Sequence, residues 1–258
     1  MHNIRDQTAA RLSALAEQPA VLGMVLIGSC SRGFADELSD DDVEVILTNQ
    51  AFADLSPGEC GELDSGSAGV PAYDLRFTSL GELWRRSRSP YDRDHWQYEW
   101  AQLLFERDGR VRDAVTQAAR MDGAFRRERL LYGAIDAWMA TQRAPKTFLR
   151  GMEGSGRLVV VRGALALARV LFALEWRWTP PACWIEAELR TLVDPQRVGP
   201  TLADALRHGE PARLIEALDR LEERLWAEGV PRAADRRACF LDLVHPSRAL
   251  ERAQHDLW

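Results

Sequence analysis

Asp40, Asp42 and Glu44 stand two residues apart in the segment Ser39-Asp40-Asp41-Asp42-Val43-Glu44-Val45-Ile46-Leu47. On a strand, side chains two apart share a face, so these three carboxylates form one acidic row while Val43 and Val45 point the other way. Carboxylates held side by side can bind divalent cations, which neutralise a polyphosphate and align an attacking oxygen with phosphorus. Such chemistry also needs a turn that lets backbone N–H groups approach phosphate. Ile27-Gly28-Ser29 supplies one, with a hydroxyl donor beside the bare glycine. A further acid, Asp74, lies in Ala72-Tyr73-Asp74-Leu75-Arg76-Phe77, where apolar and charged residues alternate. It can accept a proton from a hydroxyl or bind a metal.

The elements around these residues read as strands and loops. Val21 to Ile27 is a bounded apolar run of strand length that ends in the Gly28-Ser29 turn. Asp42 to Leu47 begins in alternation and ends in β-branched and apolar residues, a second strand with one acidic edge; Ala72 to Thr78 is a third. Asp6 to Glu17 has helical spacing and is broken by Gln18-Pro19, and the Gly-, Ser- and acid-rich stretch from Ser56 to Pro71 is a surface loop. Beyond Ser79 the pattern turns helical, through Trp96–Phe105, Phe125–Gln142, Leu158–Trp176, Trp184–Leu192, Leu214–Trp226 and a last helix near the C-terminus. The expected fold is α+β. A domain of residues 1–90 carries a small mixed sheet, and an all-α domain of residues 91–258 follows, the boundary falling in the charged Arg85–Asp94 segment.

Taken together, Ile27-Gly28-Ser29, the ten residues from Cys30 to Ser39, and Asp40-Asp41-Asp42-Val43-Glu44-Val45 resemble the signature of the DNA polymerase β-like nucleotidyltransferases. Arg32-Gly33 and Ser39-Asp40 look more like the surroundings found in the antibiotic (aminoglycoside and lincosamide) members than in polymerases. The resemblance covers the first third of the chain. It implies Mg²⁺-dependent transfer of NMP from an NTP, ATP by family analogy, to a hydroxyl of a small-molecule acceptor such as an antibiotic or metabolite, with release of pyrophosphate. Two Mg²⁺ ions would be held by the acid row, Gly28, Ser29 and Arg32 would contact the nucleotide, and Asp74 would be the base or a further metal ligand. Lys146, the single lysine of the chain, follows Ala144-Pro145 near the start of a helical segment and would meet the triphosphate by rough analogy of role; a surface lysine is the plainer reading.

The family pattern of acid, apolar, acid, apolar fits in two registers. Asp40/Asp42 keeps the spacing from Gly28-Ser29 but puts Asp41 where an apolar residue belongs; Asp42/Glu44 keeps the interleaving but lies two residues farther on. Asp42 serves in both. The first is preferred, since a change in loop spacing would move the phosphates, and Glu44 stays as the rival ligand.

Other readings of these residues are plainer. An acidic run is commonly a solvated loop, and here only its combination with Gly28-Ser29 and Asp74 argues otherwise. Calcium-loop spacing with glycine at the sixth position fails from Asp36 and from Asp40. No Gly-x-Ser-x-Gly elbow surrounds Ser29, and Cys30 reads as a small filler. Arg32 and Arg76 fit phosphate binding and pairing with nearby acids equally well.

A net charge of −6 argues against a groove that tracks nucleic-acid backbone. The four cysteines are far apart and suggest neither zinc nor a disulfide framework, so a reducing cytoplasm is expected. Arg162, Arg169 and Glu175 interrupt the most apolar stretch, Leu158 to Trp176, which reads as a buried helix with no membrane role. The nine tryptophans read as packing residues and the five scattered histidines as no metal cluster. The sequence is compatible with a homodimer. Two further functions fit the same motifs: a toxin-neutralising or regulatory enzyme that modifies a protein side chain, and a nucleotide-binding module that no longer catalyses.

Overall fold

The computed structural model describes residues 4–64 and 72–243; part of the Ser56–Pro71 loop, His2, His245 and His255 lie outside them. By packing the chain divides into two compact units, Met1–Ser89 with Asp94–Arg120, and Pro90–Arg93 with Met121–Trp258. The first unit therefore runs past the residue-90 boundary read from the sequence.

The first unit is built from α1 (Asp6–Ala16), β1 (Val21–Leu26), a one-turn helix α2 (Gly28–Arg32), β2 (Asp41–Leu47), α3 (Asn49–Ala53), β3 (Gly61–Leu63), β4 (Tyr73–Ser79), α4 (Leu80–Arg86), α5 (Arg93–Trp96), β5 (Gln102–Glu106) and α6 (Arg110–Ala119). Its mixed sheet has the order β3-β4-β2-β1-β5, with β2 and β4 parallel and every other pair antiparallel. Both faces are covered. Val43, Val45 and Leu75 pack with Leu12 and Leu15 of α1 on one side, while Val25 and Ile46 pack with Leu80 and Leu83 of α4 and Val111 and Ala114 of α6 on the other. Ser79 ends β4 and begins α4 in one step, its hydroxyl accepting the Glu82 N–H at 3.0 Å.

Trp96–Phe105, expected to be helical, is instead α5, a turn and β5. Its apolar spacing suits a helix, but Gln102 to Glu106 completes the edge of β1 with backbone hydrogen bonds, and tertiary pairing overrides local period.

The second unit holds α7 (Gly123–Leu149), α8 (Glu153–Leu174), α9 (Ile185–Leu189), α10 (Val198–His208), α11 (Pro211–Ala227) and α12 (Arg236–Leu243). Asp122 caps α7 by accepting the N–H groups of Ala124 and Phe125 at 2.7 and 2.9 Å. The helix continues through Pro145 to Leu149, so Lys146 lies in its last turn rather than near the start of a segment, and is exposed. Where α7 meets α8, a Cβ on Gly163 would fall 2.7 Å from Leu214 and closer still to Ala140, so glycine sets that approach. Among the described residues no helix is long and apolar enough to cross a membrane.

Candidate functional site

The acid pair is set by strand register. β2 and β4 run parallel with Asp42 directly opposite Asp74 and Glu44 opposite Arg76. Adjacent strands in a sheet lie about 5 Å apart, so Asp42 and Asp74 share one face as near neighbours. Arg76 joins them, its guanidinium donating to Asp74 Oδ2 at 2.9 Å and to Asp42 Oδ1 at 3.4 Å. Of the two readings open for Arg76, pairing with the acids is what the structure shows.

Asp42 carries a surplus of negative charge. Its carboxyl is pushed up to about 6, first by burial and then by the charge of Asp40; Arg76 pulls the other way, and Asp74 and Asp41 add to the rise.

Gly28 abuts this carboxylate. The Ile27 N–H donates to the Asp42 carbonyl at 2.9 Å, and Gly28 then turns at φ +71, which lets the chain leave β1 for α2. A Cβ there would stand 2.9 Å from Asp42 Cγ and closer still to Oδ2. Ser31 Oγ donates to the Gly28 carbonyl at 3.0 Å, and Cys30 Sγ to the Asp40 carbonyl at 3.1 Å, which ties the turn to the start of β2. Burial, followed by the charge of Asp41, pushes the Cys30 thiol up to about 11, in keeping with a filler role. Ser29 is buried in the same turn.

Asp41, at the position where the motif expects an apolar side chain, is buried facing α1, where Oδ2 accepts from Thr8 Oγ1 at 2.6 Å and from the Arg5 backbone N–H at 3.0 Å. A satisfied acid thus stands where an apolar residue was expected.

Glu44, the rival ligand, has protein partners of its own. It shares the face of Asp42, but α4 covers that part of the strand. Glu44 is 2% exposed, accepts from Tyr98 Oη at 2.6 Å and pairs with Arg86. Tyr98 in turn has its acidity pushed well down by burial and by that carboxylate. Glu44→Gln is expected to lower stability, read from urea denaturation, by about 1–3 kcal/mol, because Arg86 loses its counter-charge, while any activity of the folded fraction is unchanged. A large activity loss at unchanged stability would make Glu44 part of the site.

The Arg32 guanidinium lies 4.0 Å from the Trp96 ring centroid, donates to the Trp96 carbonyl and stands 3.7 Å from Glu99 Oε2, with the side chain 1% exposed. These contacts hold the guanidinium in the packing between Trp96 and Glu99. Lys146 belongs to the other unit. Sequence reasoning missed Tyr98 and Arg86, whose pairing with Glu44 spans 54 and 42 residues.

Mg²⁺ fits this donor set. A magnesium ion is ordinarily held by one or two carboxylates, with phosphates and waters completing its octahedron. Among the described residues no three His, Cys, Asp or Glu side chains are grouped to bind a metal alone, whereas the Asp42/Asp74 pair with its excess negative charge suits an ion shared with a polyphosphate.

No family model and no curated protein matches this chain. Among solved structures it is similar to a nucleotidyltransferase-like protein from Exiguobacterium sibiricum, with 19% identity, over 86% of this chain and 74% of that one, at a TM-score of 0.43.

Proposed function

We propose that the first unit carries Mg²⁺-dependent nucleotidyl transfer, moving NMP from an NTP, ATP by family analogy, to a hydroxyl of a small acceptor such as an antibiotic or metabolite. The observation that carries this reading is Asp42 opposite Asp74 on parallel strands, with Gly28 closed against the Asp42 carboxylate. The acceptor oxygen forms a bond to the α-phosphorus, the bond from that phosphorus to the bridging oxygen breaks, and pyrophosphate leaves with its electron pair. When bound, Mg²⁺ supplies charge neutralisation of the triphosphate. Asp42, with Asp40 beside it in sequence, would hold the ion. Asp74, held by Arg76, would take the hydroxyl proton, and the Gly28-Ser29 turn would admit the phosphates to within reach of the acids.

The test is pyrophosphate release from ATP, Mg²⁺ and a panel of aminoglycosides, lincosamides, metabolites and proteins, read for wild type and Asp74→Asn. A base at Asp74 predicts a kcat loss on the order of a hundredfold with nearly unchanged ATP-Mg²⁺ affinity. A joint fall of affinity and kcat makes Asp74 a metal ligand, and full turnover removes it from the site. Transfer only to a protein would make this a protein-modifying enzyme. Arg76, which already bridges both acids, favours one second reading, a nucleotide-binding module without turnover. That module would bind ATP equally with and without Mg²⁺ and release no pyrophosphate.

A further inference from the structure

Wholly within the second unit lies a cavity of about 540 Å³, lined by Asp92, Leu165, Arg169, Thr179, Pro180 and Ile185 among others. That volume is in the usual range for sites that take small organic molecules. Leu165, Pro180 and Ile185 make an apolar wall. The charged residues on the cavity are already engaged. Asp92 Oδ1 accepts from Arg129 Nε at 2.9 Å, Arg169 Nε stands 3.9 Å from Asp92 Oδ2, and the Arg93 guanidinium lies 5.7 Å from the Tyr91 ring centroid. Asp92 and Arg169 are 3% and 5% exposed, so an ionic ligand that met either would have to disturb a buried ion pair, whereas a neutral ligand leaves the pair intact.

Hydrogen bonding decides which neutral ligand fits. Asp92 Oδ2 accepts no hydrogen bond, and Thr179 Oγ1, in a residue 8% exposed, has no hydrogen-bond partner either. The Thr179 backbone N–H donates to Asp92 Oδ1 at 3.2 Å, which brings the two residues together. A buried polar atom without a partner is costly, so a ligand that supplies one is favoured. The carboxylate oxygen can only accept, and the threonine hydroxyl has a proton to donate. A single ligand hydroxyl answers both, donating to Asp92 Oδ2 and accepting from Thr179 Oγ1. A carboxylate has no proton for Oδ2, and an ammonium has no lone pair for the threonine proton.

We propose that this cavity is a site for a neutral small molecule that carries a hydroxyl on an apolar ring. The ring lies against Leu165, Pro180 and Ile185; the hydroxyl reaches Asp92 Oδ2 and, after a turn of the threonine about χ1, Thr179 Oγ1. This site stands apart from the nucleotidyl-transfer reading, and its test contains neither nucleotide nor metal.

Calorimetric titration of the full chain at pH 7 with p-cresol is expected to show saturable binding. Toluene, which lacks only the hydroxyl, should bind about threefold to tenfold more weakly, and p-toluate and 4-methylbenzylamine at least about tenfold more weakly. Thr179→Val should weaken p-cresol by about threefold to tenfold, the loss of one hydrogen bond, and leave toluene unchanged. Ala182→Trp, at an exposed position on the cavity, should abolish binding of both without changing the thermal midpoint. The four ligands compared on the wild-type chain keep the result readable should either variant fail to fold. Four outcomes overturn the proposal: no binding of p-cresol at millimolar concentration to folded protein, either charged analogue binding as tightly as p-cresol, p-cresol no tighter than toluene or unaltered by Thr179→Val, or unaltered binding in Ala182→Trp.

Discussion

Asp42→Asn is expected to abolish nucleotidyl transfer while making the metal-free protein more stable. The loss follows from the site: Asp42 is the acid common to both motif registers, lies opposite Asp74 and against Gly28, and would hold the ion that neutralises the triphosphate. Several kcal/mol of charge stabilisation correspond to a kcat/KM loss of about a thousandfold or more. The gain follows from linkage. The Asp42 carboxyl sits at about 6 in the folded chain against an ordinary 3.8, so between those pH values the folded state retains a proton that the unfolded chain has released. Stability attributable to this group therefore falls as pH rises from about 4 to about 6, and above that the ionised carboxylate is a standing cost. Asparagine removes it. With the partial exposure of Asp42 discounted, the variant should gain on the order of 1 kcal/mol at pH 7 in EDTA and lose that pH dependence. Mg²⁺ should restore the wild type toward the variant and leave the variant unmoved. Chemical denaturation at pH 4, 5, 6 and 7, with and without Mg²⁺, measures all of this. Near-normal turnover in Asp42→Asn would end the assignment, and a variant that is less stable at pH 7 would mean that the carboxylate is a structural anion of the fold.

The parts of the molecule that could be read from sequence are those whose cause is local. α1, β1, β2 and β4 show their periodicity within a few residues, and the Gly28-Ser29 turn is marked by residue type alone. What could not be read depends on partners far away in the chain. Asp41 looked like a flaw in the motif because the hydrogen bonds it accepts from Thr8 Oγ1 and from the Arg5 N–H span 33 and 36 residues. Nothing near Glu44 in the sequence announces its partner Tyr98. β5 was hidden for the same reason, as an edge strand takes its identity from the β1 backbone it joins. One signal was present but applied narrowly. Arg169 inside the apolar Leu158–Trp176 run counted against a membrane span, and the same fact required a buried counter-charge, which is Asp92.

Gly28→Ala separates the shape of the turn from its strain, because the chain contains its own control. Gly28 and Gly33 flank α2 with φ of +71 and +74, so alanine at either position enters the left-handed region at a cost of about 1–2 kcal/mol. Their surroundings differ. A Cβ at Gly33 meets nothing within 4 Å, whereas one at Gly28 collides with the carboxyl group of Asp42. Both variants should therefore lose stability by urea denaturation, Gly28→Ala the more because of the added collision, and only Gly28→Ala displaces the proposed metal ligand. ATP-Mg²⁺ affinity by calorimetry should fall by about tenfold or more in Gly28→Ala, since a methyl group there forces either Asp42 off its position or the turn away from the acids. In Gly33→Ala it should stay within about twofold of wild type, because the strain there is borne away from the carboxylates. Equal affinity losses in both would trace nucleotide binding to the general integrity of α2. No loss in either, in folded protein, would remove the Gly28-Ser29 turn from the phosphate site, and the acid pair would then need another element to bring a triphosphate to it.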